Sequence, residues 1–154
     1  VKSWSKNKKV LLRNPNSTRP WQHVLEAVGG YLKLASDLKK NKKLHGEVFN
    51  FGPDHTQNYK VLFVVKLMRK YWSKVSWRIA DKNKNSFYES GLLKLNVNKA
   101  KIKLQWKSIL TLNETINMVT EWYKSYYLNP KKIYTISLSQ IKKYENLLKK
   151  RTII

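Results

Sequence analysis

The chain has no cysteine. Disulfides and thiolate metal sites are therefore excluded, and nothing in its composition asks for an oxidising compartment. Glycine is almost as scarce, with five residues at positions 29, 30, 46, 52 and 91. No Gly-x-Gly-x-x-Gly dinucleotide loop or phosphate-cradling P-loop can be assembled from that spacing. There is no Gly-x-Ser-x-Gly elbow, so a hydrolase triad has no starting point. The three histidines, His23, His45 and His55, are not spaced to share a helix face with one another or with a carboxylate pair, and no metal site is expected. The longest apolar run, Val61 to Val65, is far too short to cross a bilayer, and no signal-peptide pattern follows the lysines at the start, so a cytoplasmic location without a membrane partner is expected. Acidic residues are few, nine against 32 basic ones, for a net charge of +23. Among these acids only Glu89 stands in a setting that reads as special.

That charge raises the possibility of an anionic partner such as nucleic acid. The lysines, however, are scattered through every segment, Arg is rare beside Lys, and Asn and Ile are abundant, which is the drift of an AT-rich genome. A nucleic-acid surface concentrates charge and interleaves it with aromatics, so nucleic acid is not the expected partner. Apolar residues make up 42% of 154, enough for one ordinary domain with a core. The chain opens on Val1, which reads as the interior of a longer sequence.

Between Leu12 and Leu32 the pattern changes character. Asn14-Pro15-Asn16 marks a turn. From Thr18 to His23 a cation (Arg19), an aromatic (Trp21) and an imidazole (His23) alternate, the period of an extended segment with the three on one face. From Val24 the period becomes helical: Val24, Val28, Tyr31, Ala35 and Leu38 predict an amphipathic helix to about Lys42. An arginine on an extended segment just before a helix can fork onto a phosphate or carboxylate, or it is simply a surface cation. Gly29-Gly30 inside the helix suggests close packing against another element.

Further along, Val10 to Arg13 reads as a strand, residues 1–9 as the end of a basic helix or a linker, and Val48 to Phe51 as a strand ended by Gly52-Pro53-Asp54. Asn50 within it is either a satisfied buried amide or a ligand contact. A helix is expected from about Thr56 to Trp72 with Val61, Val65, Met68 and Trp72 inward, a strand over Ser76 to Ala80, a loop over Asp81 to Asn85, an extended piece over Leu92 to Leu95 and a short helix over Asn98 to Leu104. Thr111-Leu112-Asn113-Glu114 is a capping box opening a helix whose apolar face is Leu112, Ile116, Val119, Tyr123 and Tyr126, stopped by Asn129-Pro130. Leu138, Ile141, Tyr144 and Leu148 predict a last helix. Helices alternating with short strands indicate an α/β class. Tyr127 and Lys131 have a Tyr-x-x-x-Lys spacing, but Pro130 between them breaks the helix such a pair needs. No catalytic residues are assigned.

Arg13-Asn14-Pro15-Asn16-Ser17-Thr18-Arg19-Pro20-Trp21-Gln22-His23-Val24-Leu25-Glu26, followed by Gly30-Tyr31-Leu32, resembles the carboxy-terminal part of the CDP-glucose 4,6-dehydratases, members of the extended short-chain dehydrogenase/reductase superfamily. Phe49-Asn50-Phe51-Gly52-Pro53-Asp54 is similar to their Asn-Phe-Gly-Pro strand and turn. Tyr88-Glu89 with Leu93-Lys94-Leu95-Asn96 is similar to their His-Glu and Leu-x-Leu-Asp segment, Lys99-Ala100 through Trp106 to Lys-Ala and Leu-Gly-Trp, and Thr120-Glu121-Trp122-Tyr123 to the end of a helix. The resemblance implies the nucleotide-sugar-binding region of a longer enzyme whose Rossmann-type amino-terminal domain, missing here, holds NAD and the catalytic residues. The strand at about 47–51 would join the sheet of that domain. The implied enzyme takes a CDP-sugar as a homo-oligomer, converting CDP-glucose to CDP-4-keto-6-deoxyglucose, a deoxysugar precursor for surface polysaccharide. It implies substrate contacts for Arg19, toward the nucleotide diphosphate, and for Asn50, Tyr88 and Glu89 near the nucleoside; the segment alone would be inactive. Three positions depart from the pattern: Tyr88 stands for His, Asn96 for Asp, and Gln105 for a Gly that could permit a positive φ.

Overall fold

The computed structural model describes residues 1–80 and 92–152. The amino terminus forms a one-turn helix, α1 (Lys2–Ser5), whose Trp4 indole N–H reaches the Ser76 carbonyl at 2.7 Å. Strand β1 (Val10–Leu12) pairs in parallel with β4 (Trp77–Ile79), with Val10 opposite Trp77 and Leu12 opposite Ile79. Strand β2 (Thr18–Arg19) pairs antiparallel with β3 (Tyr59–Lys60), and Thr18 is also bridged, in parallel, to Leu92. The helices are α2 (Val24–Lys40), α3 (Val61–Tyr71), α4 (Asn98–Leu104), α5 (Leu112–Leu128) and α6 (Ile133–Thr152). Among the described residues no helix is long and apolar enough to cross a membrane.

Three packed clusters hold these pieces. The first joins Trp4, Leu12, Val64, Val65, Met68, Trp72 and Val75 to Leu112 and Ile116, so that α3 and α5 close over β1. The inward residues of α3 include the expected Val65 and Met68, and burying such side chains contributes about 1.5–3 kcal/mol each. The second places Leu34 and Leu38 of α2 and the Phe49 and Phe51 rings against Ala100, Leu104 and Trp106. The third joins Leu25 of α2 to Ile109, Leu110 and Met118, and to Tyr144 of α6. The two consecutive glycines of α2 are contact points, as their cost in a helix suggested. A Cβ at Gly29 would lie 2.9 Å from the Tyr144 hydroxyl, and one at Gly30 would collide with the Phe51 ring.

Several expectations need correction. Most of the apolar stripe read on α2 faces outward: Val24 is 66% exposed and Tyr31 61%, while Leu38 packs into the second cluster and Glu26 and Gly30 are buried. Close approach at the glycines turned the helix onto its small-residue face. On α5, Leu112 and Ile116 are buried, but Tyr123 and Tyr126 lie on the surface; on α6 only Tyr144 of the four expected residues is buried, beside Gln140. The helix expected from Thr56 begins at Val61, because 59–60 are taken by β3. Val48 to Phe51 has no strand partner among the described residues, and Phe51 packs edge-on to Tyr31 and Trp106 at ring separations of 5.5 and 5.0 Å. The loop expected over Asp81 to Asn85 lies outside the described residues.

Candidate functional site

Arg19 lies on β2, opposite Tyr59, and is half-buried. Its guanidinium donates from Nη1 to the Thr18 carbonyl at 2.7 Å. The extended run ends there, because Pro20 has no N–H to continue the ladder. The Trp21 N–H turns back to the Arg19 carbonyl at 3.0 Å, and the Trp21 indole donates to the Tyr59 carbonyl at 2.9 Å. His23 is 5% exposed, and its Nδ1 accepts the Leu25 N–H as the cap of α2. Of Arg19, Trp21 and His23 only Arg19 lies on a strand. They are a ladder residue, a peg and a helix cap in turn.

The bridge from Thr18 to Leu92 lays the segment 92–97 beside the Arg19 strand. That segment also meets Asn50. The Asn50 amide donates from Nδ2 to the Asn96 carbonyl at 3.3 Å, at the surface, so Asn50 is not the buried amide that the sequence allowed. Asn96 in turn accepts the Asn98 N–H on Oδ1 at 3.0 Å, an Asx turn leading into α4. The amide oxygen does here what the oxygen of an aspartate would do. Tyr88 and Glu89 lie outside the described residues.

Beneath Gly52 opens a cleft of about 460 Å³ lined by Gly52, Asp54, Lys101, Gln105, Trp106, Lys107 and Ser108. Asp54 bonds Lys101 and accepts from the backbone and hydroxyl of Thr56 at 3.0 and 2.9 Å. The Lys101 ammonium and the Thr56 donors hold its carboxyl well below the usual range. Glu47 is held low in the same way by hydrogen bonds from Lys99 and Lys103. At the edge of the cleft Gln105 has φ 50° and ψ 29°, the left-handed conformation that glycine adopts without cost. The sequence raised this point by noting a glycine replaced; the αL cap that ends α4 is its physical basis.

Glu26 was passed over in the sequence. It is fully buried, and its Oε1 accepts from Ser108 Oγ and from the Ile109 and Leu110 N–H groups at 3.1, 2.8 and 2.6 Å. Its Oε2 accepts the Tyr144 hydroxyl at 3.1 Å, and burial together with that carboxylate pushes the phenol's pKa up. The available signal was Gly30, one turn further along α2, which with Glu26 marks a face in close contact. Through Glu26 the helix that follows the Arg19 segment is tied to the 108–110 turn and to α6.

The chain is 35% identical over 127 residues to the CDP-glucose 4,6-dehydratase of Salmonella typhimurium, a match that covers 82% of this chain and 35% of that protein. The chain is similar to one part of that dehydratase. It spans about a third of the relative's length. No family model matches. The similarity accords with the resemblance carried by the residues themselves, and a mixed helix and strand architecture agrees with an α/β fragment of such a protein.

Proposed function

We propose that this chain is the carboxy-terminal, nucleotide-sugar-binding part of a CDP-glucose 4,6-dehydratase. In the complete enzyme a Rossmann domain would carry NAD, which supplies hydride acceptance and return at the sugar. The residues of this segment would hold the nucleotide. The observation that carries the reading is the 35% identity to the Salmonella dehydratase over most of this chain. It is supported locally by Thr18, which sits between Lys60 and Leu92, so that the segment resuming after Glu89 returns beside Arg19. In this reading the Arg19 guanidinium forks onto the diphosphate, Asn50, Tyr88 and Glu89 contact the nucleoside side, and residues 47–51 add a strand to the sheet of the amino-terminal domain. The active form would be a cytoplasmic homo-oligomer.

The test uses the complete protein read from the gene upstream of Val1. It should convert CDP-glucose to a product one water lighter, and CDP should protect it against thermal unfolding. Arg19→Ala should weaken CDP binding by about 1.5–3 kcal/mol, the worth of a charge-assisted contact, in a calorimetric titration. CDP affinity unchanged by Arg19→Ala would remove Arg19 from the site; a complete protein inert toward CDP-glucose would remove the reading itself.

A further inference from the structure

Glu26 is the third residue of α2 after its cap, His23. A glutamate at that place ordinarily reaches back to the N–H of the cap residue and closes a capping box. Here the carboxylate turns inward instead. Its Oε1 accepts the Ser108 hydroxyl and the Ile109 and Leu110 N–H groups, and its Oε2 accepts the Tyr144 hydroxyl. The cap of α2 is left to the His23 ring, which accepts the Leu25 N–H on Nδ1. All four partners of the carboxylate are donors, and no lysine or arginine is among them.

Stability alone does not call for this arrangement. A leucine in the same space would be buried with no polar group to satisfy. What four directed bonds give is a single position. The first turn of α2 cannot slide or roll against the 108–110 turn and α6 without leaving a buried oxygen or donor unpaired. Gly29 lets Tyr144 come that close, since a Cβ there would lie 2.9 Å from its hydroxyl. The same turn is joined to Arg19 by short links. The Glu26 N–H returns to the His23 carbonyl, and the Trp21 N–H to the Arg19 carbonyl, both at 3.0 Å. Pro20, between Arg19 and Trp21, fixes its own φ. The pairing of Arg19 with β3 is two residues long, too short to hold a strand in place by itself.

We propose that Glu26 is the positioning residue for Arg19: by locking the first turn of α2 to the 108–110 turn and to Tyr144, it holds the guanidinium where the substrate diphosphate is met. The proposal rests on the nucleotide-sugar reading, in which Arg19 takes the diphosphate. Glu26 is fully buried and touches no ligand, so its effect on binding passes through Arg19.

The test is a double-mutant cycle in the complete protein, with CDP binding read by calorimetry at a temperature where each variant keeps its helical circular dichroism. Arg19→Ala comes first. CDP affinity unchanged by it would remove Arg19 from the diphosphate, and the positioning role of Glu26 with it. Glu26→Gln keeps the size of the side chain but sets an amide donor among four donors, and should weaken CDP binding about tenfold. In the Arg19→Ala background the same change should weaken binding by less than about twofold, because no guanidinium is left to misplace. An equal loss in both backgrounds would make Glu26 a structural residue only and overturn the proposal, while leaving Arg19 and the nucleotide-sugar reading in place. Tyr144→Phe is the second variant, for the case that Glu26→Gln does not fold. It removes one donor, leaves the three contacts of Oε1, and should weaken CDP binding about threefold, again only where Arg19 is present. A loss that ignores Arg19, or no loss at all, would overturn the proposal there too.

Discussion

Gln105 shows how a single residue can be legible without its structure. A glycine expected by resemblance and missing by sequence predicts a strained turn, and φ is indeed 50° there. The backbone N–H groups of Gln105 and Trp106 both return to the Ala100 carbonyl, so the turn cannot open without losing the end of α4. An L-residue in this conformation costs about 1–2 kcal/mol, offset in part because glycine loses more entropy on folding. Gln105→Gly should therefore stabilise the chain by about 0.5–1 kcal/mol, read as a higher urea midpoint at unchanged slope. A lower midpoint would mean that the side chain earns its place at the edge of the Asp54 cleft. Glu26 is the opposite case. Nothing in a Leu-Glu-Ala sequence announces a buried carboxylate with four donors, because those donors come from residues 82 to 118 positions away. Arg19 and Asn50 were readable as polar residues at chosen places. Arg19 bonds the carbonyl of its chain neighbour Thr18, whereas Asn50 meets Asn96 only through tertiary contact.

At the level of elements, strong local signals survived folding and weak ones were overruled. The capping box at Thr111 forms as read: Glu114 accepts the Thr111 N–H at 2.8 Å, and Thr111 Oγ1 accepts the Glu114 N–H at 3.3 Å. Helix α4 occupies the residues its pattern indicated. The two-residue strands β2 and β3 carry too few residues for any periodicity, and the inward faces of α2 and α6 were set by the glycine contacts and by Tyr144 rather than by their most apolar stripes. The capping glutamate also binds a residue near the other end of the chain. Arg151 forks onto Glu114 through two contacts of 2.8 Å and reaches the Ile109 carbonyl at 2.6 Å. The Arg151 guanidinium is the main reason that the Glu114 carboxyl drops to about 2 from 4.5. A carboxyl depressed on folding adds stability that is complete above its unfolded pKa and is lost as pH falls through the folded one. The α5–α6 pairing should then weaken between about pH 4.5 and about pH 2. With both side chains partly in solvent, the contribution is about 1 kcal/mol. Asp54 and Glu47 share the acid limb, so the informative quantity is a difference: Glu114→Gln should lower stability at pH 7 and bring the two proteins together near pH 2. A constant gap across that range would separate Glu114 from the acid transition.

The whole molecule is governed by its imbalance of charge. Net charge was plain in the sequence, whereas the composition of the packed clusters was not. Lysines and arginines crowd the last turns of α2, α3, α4 and α6, where each is favoured by its own helix dipole. Each element is therefore locally consistent, while the chain as a whole carries a large excess of one sign. A few ion pairs, such as those of Glu47 with Lys99 and Lys103 and of Asp54 with Lys101, neutralise only a small part of 32 basic residues. Surface pairs of this kind contribute about 0–1 kcal/mol each and weaken with salt. Self-repulsion at a net charge of +23 acts over the whole surface and is also screened, with a Debye length that falls from about 30 Å at 0.01 M to about 8 Å at 0.15 M. The two effects of salt have opposite signs, and the larger is the repulsion, because most of the cations have no carboxylate to pair with. The melting temperature should rise when sodium chloride is raised from about 0.01 to about 0.15 M. A fall over the same range would show that the few carboxylate pairs outweigh the excess of lysine.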